Sequence, residues 1–152
     1  MPTLLAVDVG LRTGLALYGD DGRLRWYRSQ HYGNRSKLRR GIYGLLHGEQ
    51  ELTHLVAEGG GDLVQIWMHE AGKRGVAARQ VDAGEWRPTL LRPRDQRSGP
   101  RAKEAADTLA RRVIAWSGAA RPTSLRHDAA EAILVGLWGV LQVGWLDAVP
   151  TW

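Results

Sequence analysis

At 152 residues the chain is long enough to bury a sizeable core without covalent staples, and a single domain spanning 1–152 is expected. It contains no cysteine, which excludes disulfides, thiolate zinc sites and cysteine nucleophiles and is compatible with a reducing compartment. A formal net charge of +5 and a pI near 10.1 favour polyanionic partners, nucleic acid first, because binding releases condensed counterions.

The N-terminus, MPTLLAVDVG, lacks the basic region and long apolar core of a signal peptide, so a cytoplasmic protein is expected. Leu4 to Val7 reads as a strand buried on both faces, Asp8 stands where that strand should end, and glycines then turn the chain back. A carboxylate at that position is costly beside a core unless it is exposed at the strand tip or paired with a cation. Leu15 to Tyr18 and Arg23 to Arg28 predict two further strands. They are antiparallel neighbours, because Gly19-Asp20-Asp21-Gly22 has hairpin-turn chemistry.

Leu38, Ile42, Leu45 and Leu46 give Ser36 to Glu51 a helical stripe. The cations at its start (Arg35, Lys37, Arg39 and Arg40) suit either a phosphate partner or a solvated face. Leu52 to Glu58 repeats the first pattern: an apolar run, a carboxylate, then Gly59, Gly60 and Gly61. Asp62 is placed to cap a helix with the stripe Leu63, Ile66, Trp67 and Ala71, and Val76 to Val81 predicts a fifth strand. Strand, helix, strand at this length implies a parallel pair with a right-handed crossover.

Ala83 to Leu91 predicts a short helix, broken or restarted at Pro88, and Arg92 to Pro100 a flexible cationic loop. A helix over Ala102 to Ser117 follows, and after a second loop the last helix starts near Asp128. The apolar run from Ala132 to Val149 is too interrupted for a membrane span. It predicts a buried or dimer-interface helix, with Trp138, Leu141, Trp145 and Leu146 as interface candidates.

The chemistry lies in four acids. If the first and fourth strands run parallel side by side, Asp8 and Glu58 emerge at one edge of the sheet, where open α/β sheets carry their sites. Asp128 and Glu131 share a helix face, roughly 5–6 Å apart. An all-oxygen set suits Mg²⁺ or Mn²⁺ rather than zinc. Two such ions about 4 Å apart would relieve the repulsion among the acids and support phosphodiester hydrolysis without a covalent intermediate. Taken singly, Asp128 could serve only the helix dipole and Glu131 only a first turn. His127 could assist or ligate, or be a neutral neighbour.

With these residues in view, the chain resembles the RuvC-like Holliday junction resolvases of the RNase H-like superfamily. The resemblance rests on DVGLRTG after strand one, AEGGG after strand four, ARQV in strand five, RAKEAADTLARRV after the basic loop, and DAAEAI in the last helix. It implies an α/β, RNase H-like fold, with a mixed five-stranded sheet of three antiparallel and two parallel strands flanked by helices. It also implies that Asp8, Glu58, Asp128 and Glu131 are the catalytic, metal-binding carboxylates and that Lys103 lies near DNA. A homodimer nicking opposed strands of a four-way junction symmetrically, in the nucleoid, is the expected form. Arg12, Gly59, Gly60, Arg92, Arg94 and Arg97 complete the DNA-binding candidates. One position departs from the pattern: the last acid is usually Asp, and here it is Glu131.

Other readings fit less well. Sugar kinases and actin-like ATPases need two such domains. Ordinary RNase H draws a Glu from its first helix, where this chain has acids only near the end, at Glu49 and Glu51. A YqgF-like nuclease acting on RNA shares the fold, but the glycine loop and DAAE helix fit resolvases better. A binding module without activity leaves the acids unexplained. Trp67 and Trp86 suit the core better than a stacking surface.

Overall fold

The computed structural model describes residues 1–152. Strands β1 (Thr3–Asp8), β2 (Arg12–Gly19) and β3 (Leu24–His31) form an antiparallel meander. Helix α1 (Arg35–Gly48) leads to β4 (Leu52–Glu58), and α2 (Gly61–Lys73) leads to β5 (Ala77–Val81). Helices α3 (Ala83–Leu90), α4 (Gly99–Ser117) and α5 (His127–Gln142) complete the chain. The five strands lie in the order β3-β2-β1-β4-β5, with β1, β4 and β5 parallel. The mixed sheet matches the expected architecture.

Alternation along the strands divides the core in two. Leu5, Val7, Leu15, Leu17, Leu55 and Ala57 pack against α1 and α2, whereas Leu4, Ala6, Ala16, Tyr18 and Val56 pack against α3, α4 and α5. Asp8 and Glu58 continue the second series by parity, so both belong to the α5 face. That one relationship positions the site.

Every residue of α5 from Ala129 to Val140 is buried. The helix is apolar all round because the sheet covers one side while α3 and α4 cover the other. Of the two expectations for this helix, the buried one holds. Trp138 is only 3% exposed and belongs to the monomer core. Leu141 is half-buried, Trp145 sits edge-on against His54, and Leu146 covers Gly22. No helix is long and apolar enough to cross a membrane.

Smaller departures have local causes. Asp62 does not cap α2: Gly60 is the N-cap, and Asp62 sits in the first turn, paired with Arg35. Helix α3 runs through Pro88 without a break, capped by Asp82 and anchored by the fully buried Trp86. The cationic loop contains a 3-10 turn over Pro93–Gln96, closed by reciprocal contacts between Arg92 and Asp95. Helix α4 begins three residues early, because Ser98 caps it by accepting from Arg101 N at 3.2 Å.

Candidate active site

Strands β1 and β4 end in register, Asp8 opposite Glu58, so the two carboxylates are neighbours at the C-terminal edge of the parallel pair. On its other side Asp8 is paired with Gly14 of β2. The missing side chain there is what lets α5 approach: a Cβ on Gly14 would stand 1.9 Å from the carbonyl oxygen of Asp128. The first turn of α5 thereby comes down onto the sheet edge and brings Asp128 and Glu131 to Asp8 and Glu58. Beyond β4 the chain turns at Gly59 with φ +139, a value that side chains rarely tolerate. Gln80 of β5 donates to the Gly59 carbonyl at 2.8 Å and fixes the turn.

The acids crowd one another. Burial, then the charges of Glu58 and Glu131, push the Asp8 carboxyl from its ordinary 3.8 up to about 8, with the charge of Asp128 adding to the rise. Burial also raises Glu58, as does the charge of Glu131, although its interaction with Asp8 and the nearby Arg87 cation oppose that rise. Burial and mutual repulsion thus hold both strand-end carboxyls above the ordinary carboxylate range. The indole N–H of Trp86 favours the ionised form of Glu58 without reaching full hydrogen-bond geometry.

Each α5 acid already has protein partners. Asp128 accepts from Ser29 of β3 at 2.9 Å through Oδ2 and from Ala129 N at 2.7 Å through Oδ1. Glu131 Oε1 accepts from Arg87 of α3 at 2.9 Å and lies 3.2 Å from His127 Nε2. Glu131 Oε2 is buried with no partner. The acids therefore share one edge, but no three of the His, Asp and Glu side chains are gathered in the geometry of a closed metal site. Their chemistry does fit a hard divalent cation: all donors are oxygens, one is a bare buried carboxylate oxygen, and the acids stand close enough for their charges to repel.

Arg12, Arg94, Arg97 and Lys103 are exposed, as is Arg92 beside Asp95. Trp67 and Trp86 are both fully buried and offer no stacking surface. His127 contacts Glu131 rather than standing apart. The sequence reading missed Ser29, Arg87 and the role of Gly14. Ser29 and Arg87 lie 99 and 44 residues from the acids they contact, and no local spacing signals either one.

No family model matches the chain, and no curated protein matches it. Among solved structures, T. thermophilus RuvC in complex with a Holliday junction substrate aligns with a TM-score of 0.67 at 14% identity, over 99% of this chain and 100% of that one. The catalytic core domain of BIV integrase gives a TM-score of 0.37 at 13% identity over 88% of this chain and 80% of that one, too low to carry an argument. The chain thus has the RNase H-like α/β fold in the form seen in RuvC.

Proposed function

We propose that the chain is a divalent-metal-dependent endonuclease that resolves four-way DNA junctions, nicking opposed strands symmetrically as a homodimer in the nucleoid. The observation that carries this reading is the register pairing of Asp8 with Glu58 on the face where α5 delivers Asp128 and Glu131. The RuvC fold over the whole chain, in a protein bound to a Holliday junction, supports the choice of substrate.

Asp8 and Glu58 would hold Mg²⁺ or Mn²⁺ together with Asp128 and Glu131, as two ions. Bound there, the cations would supply charge stabilisation at the scissile phosphate and lower the pKa of the attacking water. The protein's own contribution is positioning. The strand ends fix Asp8 and Glu58, and Ser29 orients Asp128. Gly60 leaves room for the DNA backbone, since even a Cβ there would meet nothing within 4 Å, while Gly59 makes the turn. The exposed Arg12, Arg92, Arg94, Arg97 and Lys103 are the phosphate-binding groups of this reading. Symmetric cutting needs two sites, hence two chains.

The test is cleavage of a labelled four-way junction in Mg²⁺ or Mn²⁺, beside duplex DNA, an RNA–DNA hybrid and precursor ribosomal RNA. Paired nicks in the junction alone are expected. Preferential cutting of either RNA substrate would contradict the reading.

A further inference from the structure

Arg87 joins α3 to the candidate site through a single carboxylate oxygen. Its Nη2 donates to Glu131 Oε1 at 2.9 Å, and His127 Nε2 approaches the same oxygen at 3.2 Å. The second oxygen, Oε2, is buried and has no partner. A guanidinium serving only to neutralise a buried carboxylate ordinarily meets both oxygens as a fork, which satisfies the whole group. Here two cationic or polar groups converge on one oxygen and leave the other bare, an arrangement that costs free energy unless something else uses that oxygen.

The clamp is itself well anchored. The guanidinium carbon lies 5.3 Å from the ring centre of Trp86, which is 0% exposed, while Glu131 retains 7% of its side-chain exposure and Arg87 34%. The clamped acid also has a longer tether than Asp8 or Asp128. Glu131 carries one more rotor than the Asp common at that position in resolvase-like chains, and a mobile carboxylate is a poor ligand because its freedom must be lost on binding. Shortening it to Asp would withdraw the carboxylate from Arg87 by one methylene.

We infer that Arg87 is a positioning residue that clamps Glu131 through Oε1 and leaves Oε2 free for the divalent cation shared with Asp8 and Glu58. The inference rests on the metal-dependent reading of the site and adds to it a residue from α3 that touches neither cation nor DNA. It makes the pair Arg87–Glu131 one unit: the arginine matters only while the glutamate can ligate.

The experiment is calorimetric titration of the DNA-free full chain with Mn²⁺, alongside the Mg²⁺ dependence of junction cleavage. The proteins are wild type, Arg87→Met, Arg87→Lys, Glu131→Gln and the Arg87→Met/Glu131→Gln double variant, each checked for native tryptophan circular dichroism. Arg87→Met should weaken Mn²⁺ binding by about 10-fold, the usual cost of losing a group that orients a ligand, and raise the half-saturating Mg²⁺ by a similar factor. Arg87→Lys, the variant that keeps a cation if Arg87→Met does not fold, should recover part of the affinity. In the Glu131→Gln background, removing Arg87 should have no further effect on Mn²⁺ binding. Unchanged Mn²⁺ affinity in both Arg87 variants would overturn the inference, leaving an ordinary ion pair. Tighter binding would also overturn it, since Arg87 would then compete with the cation. A wild-type chain that binds no Mn²⁺ would overturn the reading of the site as well, which separates the two failures.

Discussion

Gly14 and Asp128 touch through their backbones: the space where a Gly14 side chain would stand is filled by the Asp128 carbonyl, 1.9 Å from the ideal Cβ position. Gly14 is also the register partner of Asp8. One hydrogen in place of a methyl group therefore determines how closely the α5 acids approach the strand acids.

Gly14→Ala should push the start of α5 off the sheet. Overpacking of this kind costs about 1–3 kcal/mol, and cleavage should fall further than the reduced stability explains, because Asp128 and Glu131 move together. Gly44→Ala is the control. Gly44 is exposed on α1 with nothing within 4 Å of its added Cβ, so the change should stabilise the chain by up to about 1 kcal/mol and leave cleavage unchanged. Urea unfolding and junction cleavage of both variants check this.

The metal-free protein should lose stability as pH rises, opposite to the usual behaviour of a native carboxylate. Asp8 has its folded pKa raised from 3.8 to about 8, chiefly by burial and then by Glu58 and Glu131, and Glu58 is raised in the same direction. Between those pH limits the folded chain keeps a proton that the unfolded chain has released. The contribution is thus fully present below pH 4 and lost as pH climbs through about 8. At about 1.4 kcal/mol per pKa unit, shared within a coupled pair, the loss should amount to a few kcal/mol. Urea unfolding in chelator should show this slope in wild type and a much flatter one in Asp8→Asn. Adding Mg²⁺ should flatten the wild-type profile, since a cation favours the ionised acids.

The strand acids were legible in the sequence because each follows the same local pattern, an apolar run, a carboxylate and glycines. The bounds of β4, Leu52–Glu58, agree with that pattern residue for residue. The fate of α5 was not legible. A helix apolar on every side implies complete cover, but periodicity does not say whether the cover comes from α3, α4 and the sheet or from a second chain. Ser29 and Arg87 were equally hidden, since each reaches its acid across long stretches of chain. The Gly14 signal was present in DVGLRTG but read as turn chemistry, whereas its structural use is the close approach of a helix.

The basic segment after α3 should act on DNA binding rather than on chemistry. Replacing Arg92, Arg94 and Arg97 together should weaken junction binding and reduce the slope of log affinity against log salt by up to about 3, if each arginine neutralises one phosphate. Part of the Arg92 contribution is offset in the free protein by its ion pair with Asp95 at 3.3 Å, so Arg94 and Arg97 should carry most of the change. Titrations across several salt concentrations check this, and an unchanged slope would make the segment a solvated connection.

Asp8 and Glu58, brought side by side by strand register, should act as one metal-holding unit in phosphodiester cleavage. The decisive measurement is junction cleavage and junction binding by Asp8→Asn, Glu58→Gln and the double variant, each shown to be folded. Cleavage should fall by several orders of magnitude in each single variant and little further in the double, because residues acting as a unit are not additive. Binding should persist or tighten as negative charge facing the phosphates is removed. Folded Asp8→Asn and Glu58→Gln proteins that cut junctions at the wild-type rate would contradict it.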